Sequence, residues 1–374
     1  MKTIRMMIKP ASSLCDMRCK YCFYADVADA RAVRSFGMMS DTTTDAMLKS
    51  IASELNVGDA VSFAFQGGEP TLAGLAFFRR FVEKTETWKD VRVSYALQTN
   101  GLLLDDVWCA FLKEHRFLVG LSLDLLPEAH DGARVDARGE GTYRRVVGTM
   151  EQLRRYGVDF NVLCTLTSDV ARHPKQVWNQ LVKLEIDYVQ FTPCLGALDG
   201  QSSSPYALTP QRFASFYTQL FGLWYADYQK GKRRSVKLFD DIVNQLVLGR
   251  PTGCGMDGVC RPQLVIEADG SAYPCDFYCL DEYRMGNITS DSIETLLHSD
   301  GAKAFLSRPH TAPRACASCR FARFCGGNCR RMQREICASV TDESCGYSAF
   351  LEQCGKPLAR LAEQVKSTYL RNQR

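Results

Sequence analysis

The sequence predicts an α/β fold, a partial (β/α)6 TIM-like barrel followed by a smaller cysteine-rich domain. Three observations lead there. Short apolar, strand-like runs alternate with amphipathic helical stretches over roughly the first 200 residues. A cysteine triplet, Cys15, Cys19 and Cys22, directly follows the first strand-like run, and a second, larger group of cysteines begins at Cys254.

In chain order, the strand pattern falls at 4–8, 61–65, 91–97, 118–123, 160–166 and 188–192. Helical periodicity separates them at 42–55, 77–88, 105–114, 143–156 and 174–184. Such an alternation gives a parallel sheet covered on its outer face, and six units make a partial barrel. Periodicity alone is equally met by a doubly wound sheet. In a barrel the loops after the strands form the catalytic face, so the triplet falls where chemistry is expected. The domain boundary is expected near residue 235, with the barrel at 1–235 and an auxiliary domain at 236–374. The tail from 347 to 374 reads as an amphipathic helix, with Phe350, Leu351, Leu358, Leu361 and Val365 on one face.

A chain of 374 residues with 46% hydrophobic residues can bury two cores. Its net charge of +4 is well mixed, and no apolar run reaches membrane-spanning length, so neither nucleic acid nor membrane is an expected partner. The first nine residues are too short and too charged for a signal peptide. Seventeen cysteines without such a signal point to metal ligation in a reducing, cytoplasmic compartment rather than to disulfides.

Cys15, Cys19 and Cys22 have the spacing C-x3-C-x2-C, with Tyr21 before the last. Three thiolates in one loop can ligate three irons of a [4Fe–4S] cube and leave the fourth open; a zinc knuckle fits the triplet taken alone. The run resembles the signature of the radical S-adenosylmethionine (radical SAM) enzymes. That resemblance implies a cluster that binds SAM and cleaves it to a 5′-deoxyadenosyl radical. Gln66-Gly67-Gly68-Glu69-Pro70 resembles the family's Gly-Gly-Glu-Pro turn, implying that Gly68 and Glu69 serve the SAM amino group. By the same resemblance Tyr21 contacts SAM, Ser122 ends a strand beside it, Arg134 meets its carboxylate with a planar fork, and Leu195 packs on its adenine.

Further along stand Cys254, Cys260, Cys275, Cys316, Cys319, Cys325, Cys329 and Cys345. Eight thiolates fully ligate two cubes, although C-x2-C spacing also permits four-cysteine zinc sites. The pattern resembles the SPASM extension of peptide-modifying radical SAM enzymes. The resemblance assigns Cys254, Cys260, Cys275 and Cys329 to one auxiliary cluster, and Cys316, Cys319, Cys325 and Cys345 to the other, three [4Fe–4S] clusters in all. Cys109, Cys164, Cys194, Cys279, Cys337 and Cys354 remain as small buried hydrophobes.

Residues 265–276 read as a β-hairpin around Asp269-Gly270 that delivers Cys275 and, next to it, Asp276. Cys275-Asp276-Phe277-Tyr278 resembles a narrower family, the anaerobic sulfatase-maturating enzymes. The match continues at 8–13, 22–24, 63–74, 117–122, 167–173, 223–225 and 254–260. It implies radical SAM oxidation of a Cys or Ser in a Cys/Ser-x-Pro/Ala-x-Arg peptide to Cα-formylglycine. Asp276 would remove the thiol or hydroxyl proton, and a flavodoxin or ferredoxin would supply electrons. One departure is Leu125-Leu126-Pro127, where relatives show Gly-Pro directly after the aspartate. It favours an alternative of the same chemistry, an enzyme that crosslinks or otherwise modifies a ribosomally made peptide. A non-catalytic electron carrier or zinc module needs neither the barrel nor the Gly-Gly-Glu-Pro turn. The basic run at 230–234 reads as a solvated loop that can also dock an acidic carrier.

Overall fold

The computed structural model describes residues 1–198, 200, 204–338 and 342–372, the last four by backbone alone. The chain divides into two compact units, Met1–Leu123 with Asp131–Phe160 and Arg261–Arg308, and Asp124–His130 with Asn161–Cys260 and Pro309–Arg374.

In the first unit, β1 (Thr3–Ile8), β2 (Ala60–Phe65), β3 (Arg92–Thr99) and β4 (Leu118–Ser122) are parallel neighbours in that order. In the second, β5 (Phe160–Leu166), β6 (Tyr188–Pro193) and the short β7 (Ser235–Val236) pair in parallel. Crossover helices Asp41–Ser53, Gly74–Thr85, Asp106–Glu114, Tyr143–Arg155 and Pro174–Lys183 fall where the periodicity put them. Two long helices, Pro210–Gln229 and Lys237–Leu248, lie outside the expected alternation.

Side-chain alternation decides between barrel and doubly wound sheet for the first unit. Ile4, Met6 and Ile8, Val61, Phe63 and Phe65, and Leu97 are buried on one face. Phe63, Phe65, Phe78, Phe81 and Phe117 form an aromatic core there, with Phe63 and Phe81 edge-to-face at 4.9 Å between centroids. The opposite face carries Arg5, Met7 and Lys9, Ser62, Ala64 and Gln66, and Ser94, Ala96 and Gln98. A sheet covered by helices on both sides is apolar on both; a polar second face lines a lumen.

The expected hairpin forms from β8 (Leu264–Ile266) and β9 (Ser271–Tyr273), with Gly270 at φ +86° in its turn. It does more than present a cysteine. β8 pairs in parallel with β1, extending the same sheet, and β9 is flanked by β10 (Gly286–Asn287). The hairpin thus belongs to the sheet of the first unit, not only to the C-terminal cysteine region in which its cysteine is expected. The final helix, Gly346–Asn372, packs on Pro210–Gln229 and Lys237–Leu248 through Tyr347, Phe350 and Leu358, all fully buried. The last two residues of the expected helix lie outside the described residues.

Candidate active site

Cys15, Cys19 and Cys22 occupy the loop between β1 and the helix Phe23–Asp29, whose N-cap is Cys22 itself. The Met17 amide donates to Cys15 Sγ at 3.4 Å. Burial, followed by the charges of Glu69, Asp16 and Cys19, pushes the Cys15 thiol up to about 12 against the pull of that amide. Cys15 and Cys19 are half-buried and Cys22 is exposed, and all seventeen cysteines are free thiols. Backbone bonds pin the loop from two sides. Arg18 N and Lys20 N donate to Val135 O (2.7 Å) and Ala133 O (3.0 Å), while Gly68 N and Glu69 N donate to Ser12 O (2.8 Å) and Leu14 O (2.7 Å). Glycine is required at position 68, because a Cβ there would stand 1.9 Å from Leu14 O.

Glu69 is buried, and its carboxylate is taken up by the protein. It accepts from Thr71 N (3.0 Å), Thr71 Oγ1 (2.6 Å), Thr99 Oγ1 (2.8 Å) and Asn100 N (2.8 Å). Burial raises its pKa, with these bonds opposing. Asn100 Nδ2 in turn donates to Asp16 Oδ1 at 2.7 Å, fastening the end of β3 to the cysteine loop. Arg134 is buried with its guanidinium 5.4 Å from the Tyr21 ring centroid, so those two candidates meet. Ser122 is half-buried at the end of β4.

Asp276 follows Cys275 at the end of the hairpin and is 8% exposed. Lys9 Nζ donates to its Oδ1 at 2.5 Å, and Gln66 Nε2 to its Oδ2 at 2.8 Å. Lys9 and Gln66 each stand one residue past β1 and β2, at the C-terminal ends of the strands. The Lys9 side chain is fully buried, its ammonium 3.7 Å from the centroid of the Tyr24 ring. Burial pulls the Lys9 pKa down, but the charges of Asp276 and Glu267 outweigh it and the net direction is up. Tyr24 is fixed in turn, since its hydroxyl donates to Glu267, which pairs with buried Arg31 at 2.7 Å. Phe277 packs edge-on against Phe23 at 4.8 Å. Sequence reading missed Lys9 and Gln66 as partners of the aspartate. A cavity of about 490 Å³ opens at the other end of the same strands, against Arg5, Met7, Ser62 and Ala64.

In the second unit, Leu195 is half-buried in the loop after β6. The Gly196 peptide beside it is gripped at both ends, its N–H donating to Glu335 Oε1 (3.0 Å) and its carbonyl accepting from Arg331 (2.6 Å). The loop holding Cys254 and Cys260 lies backbone to backbone on the Cys325–Cys329 turn. A Cβ on Gly258 would meet Gly326 O at 1.9 Å, and one on Gly255 would meet Cys329 Cβ at 2.6 Å. Burial raises the Cys329 thiol, and Cys260 adds to it. Cys325 is pushed up to about 11 by burial, with further contributions from Cys345, Cys319 and Cys316, so these four thiols share one neighbourhood. Cys337 bonds to Cys345, holding the Cys345 thiol low while its own rises. The six cysteines left over by the motifs are all buried.

Among the described residues no three His, Cys, Asp or Glu side chains close in on a single ion. Thiol-rich, glycine-cradled loops suit cubane clusters, whose ligands bind separate irons.

Residues 10–171 match the radical SAM superfamily, and residues 254–320 match the SPASM iron–sulfur cluster-binding domain. A cysteine-type anaerobic sulfatase-maturating enzyme of Clostridium perfringens is 38% identical over 98% of this chain and 100% of its own. The chain belongs to the anaerobic sulfatase-maturating enzymes. It is a radical SAM enzyme that works with [4Fe–4S] clusters and SAM, and its reaction is oxidation of a peptide side chain to formylglycine. A serine-type relative from Bacteroides thetaiotaomicron is 26% identical over 88% of this chain and 83% of its own. The solved structure of native anSMEcpe with bound AdoMet and Cp18Cys peptide superposes with a TM-score of 0.88 at 37% identity, covering 97% of this chain and 100% of that one. The fold is therefore the radical SAM barrel with a SPASM domain. No helix among the described residues is long and apolar enough to cross a membrane.

Proposed function

We propose that this enzyme oxidises cysteine, in an extended Cys-x-Pro/Ala-x-Arg segment of an unfolded sulfatase, with Asp276 as the base. The observation that carries the reading is the Asp276 carboxylate, buried between Lys9 and Gln66 one residue beyond Cys275. Preference for cysteine over serine follows from the much higher identity to the cysteine-type relatives.

In this reading Cys15, Cys19 and Cys22 hold the SAM-binding cluster. Cys254, Cys260, Cys275 and Cys329 hold one auxiliary cluster, and Cys316, Cys319, Cys325 and Cys345 the other. Together with SAM these groups supply hydrogen abstraction from the substrate Cβ and a sink for the second electron. The protein's own residues do the rest. Arg134, stacked on Tyr21, takes the SAM carboxylate with its planar fork. Gly68 and Glu69 shape the turn against the cysteine loop, and the Glu69 carboxylate acts by bracing Thr71, Thr99 and Asn100. Ser122, at the end of β4, would serve SAM from the first unit, and Leu195, in the loop after β6, would offer its adenine an apolar contact. Lys9 holds one oxygen of Asp276 and Gln66 the other, so the carboxylate is fixed in place to accept the substrate thiol proton. Holding base and substrate within hydrogen-bond reach is where this polar lumen contributes most to rate.

The barrel part is assigned to 1–235 and the auxiliary-cluster part to 236–374. The enzyme works in the cytoplasm, reduced by a flavodoxin- or ferredoxin-like donor. Competition between matched Cys-x-Pro-x-Arg and Ser-x-Pro-x-Arg peptides tests the substrate assignment. The cysteine peptide should win in kcat/KM by at least about tenfold; a serine preference would overturn it.

A further inference from the structure

Charge is unevenly placed in this chain. It has 46 Lys and Arg against 42 Asp and Glu, yet between Pro309 and Arg334 there are six arginines and no acidic residue. Without those six the balance of the chain turns negative. The arginines interleave with the cysteines. Arg314 stands two before Cys316, Arg320 follows Cys319, Arg323 stands two before Cys325, and Arg330 and Arg331 follow Cys329.

They are not equivalent. Arg331 and Arg334 donate to the Gly196 and Gly200 carbonyls (2.6 and 2.8 Å), which ties them to their own unit. Arg314, Arg320 and Arg323 are exposed. Arg320 lies 4.8 Å over the half-buried Phe321 ring and pairs with Glu352 of the final helix. On that helix Lys356 and Arg360 follow Glu352 at four-residue steps, so they extend the same face and are exposed. Acidic residues near the patch include Glu352, Asp342, whose carbonyl accepts from Ala315 N, Glu343 beside it, and half-buried Asp257, whose backbone lies against Gly326. Positive charge still prevails over them.

We infer that this arginine face, centred on Arg314, Arg320 and Arg323 with half-buried Phe321 and Phe324 among them, is the docking surface for an acidic one-electron carrier protein. The inference rests on the cluster assignment of Cys316, Cys319, Cys325 and Cys345 made above. Charge selects the sign of the partner, and complementary charge speeds encounter. Arginines with aromatic rings between them are what protein interfaces select for their centre. Proximity to four thiols that suit a cluster selects an electron carrier over a nucleic acid. Redox chemistry calls for one: the electron that primes SAM cleavage is delivered from outside the chain, while of the two electrons cysteine gives up per thioaldehyde one leaves with the abstracted hydrogen atom and the other returns to the clusters. In the other basic run, 230–234, Arg233 lies over the Tyr228 ring at 3.7 Å and Arg234 bonds to Ile186 O, which leaves the exposed Lys230 and Lys232 as the comparison.

The test is calorimetric binding of an acidic flavodoxin to the cluster-loaded enzyme at several salt concentrations, with R314E/R323E and a control, K230E/K232E. We expect wild-type binding to weaken steeply with salt. R314E/R323E should lose about tenfold in affinity and most of that salt dependence, while K230E/K232E binds as wild type. Iron content and dithionite-driven SAM cleavage of R314E/R323E should match wild type; if the charge reversals misfold the loop, R314Q/R323Q carries the same comparison with a smaller loss. Equal affinity and salt dependence in wild type and R314E/R323E would overturn the inference, as would loss of binding in the control instead. Tighter binding of a single-stranded oligonucleotide than of flavodoxin, abolished by R314E/R323E, would assign the face to nucleic acid and overturn it too. Binding is read without peptide, so failure of the formylglycine reading shows separately, as absent peptide oxidation with dithionite.

Discussion

Lys9 ends an apolar strand, and in a sequence a lysine there reads as a solvated strand end. Its partner is 267 residues away, so no local pattern reveals that it is wholly buried against Asp276. Asp276 itself was legible only through the resemblance carried by Cys275-Asp276-Phe277-Tyr278. Breaking a buried pair leaves an uncompensated charge and costs about 3–5 kcal/mol. Lys9→Met should therefore lower stability by that order and cut formylglycine formation by about a hundredfold or more. SAM cleavage should continue, read as 5′-deoxyadenosine formed in excess of aldehyde. The pH dependence has a definite sign. Because the folded Lys9 pKa lies above its ordinary 10.5, its stabilisation is complete below 10.5 and is lost as pH rises through the higher folded value. The stability gap between wild type and Lys9→Met should stay constant from neutral to mildly alkaline pH and close only above that point, by denaturant titration. Glu69 shows the opposite limit of sequence reading. The motif marked it as important, but only the structure shows its lone pairs spent on Thr71, Thr99 and Asn100. Gly68→Ala should displace the cysteine loop, since the nearest atom is backbone and cannot turn aside. The loss is measured as reduced iron loading with secondary structure retained.

Strand and helix positions were legible because β1 to β6 alternate with helices whose apolar faces have clear periodicity, and their ends moved by only a few residues. The hairpin turn was equally plain from Asp269-Gly270. Its pairing with β1 was not, because strand partnership across 258 residues leaves no local trace (Met6 opposite Leu264). That pairing is what carries Asp276 to Lys9. Leu125-Leu126 was the one segment that favoured a crosslinking enzyme, through its departure from the relatives' Gly-Pro. In the structure Leu125 is fully buried and Leu126 nearly so, leading into the helix Pro127–Ala133. They are core residues of that segment. Leu125→Ala should cost about 2–5 kcal/mol by denaturant unfolding and leave formylglycine as the product. A changed product from that variant would restore a substrate role for the segment.

At the scale of the whole molecule, Cys325 feels the charges of Cys345, Cys319 and Cys316, Cys329 feels that of Cys260, and the six cysteines outside the motifs are buried. The Cys337 thiol hydrogen-bonds to Cys345 and accepts from Asn328 Nδ2 (3.4 Å), which sequence spacing does not reveal because it does not say which thiols meet. Replacing Cys15, Cys19 and Cys22 by Ala should remove about four of about twelve irons and abolish SAM cleavage, while the auxiliary clusters remain visible by their absorbance. The central claim is that Asp276 is the base in oxidation of a peptide cysteine. Its most direct test is mass spectrometry of a Cys-x-Pro-x-Arg peptide incubated anaerobically with loaded enzyme, SAM and dithionite, for wild type and Asp276→Asn. Wild type should give a hydrazide-trappable aldehyde at the cysteine with matching 5′-deoxyadenosine, and Asp276→Asn should give 5′-deoxyadenosine with almost no aldehyde. Full aldehyde yield from Asp276→Asn, or none from wild type while SAM is cleaved, would contradict it.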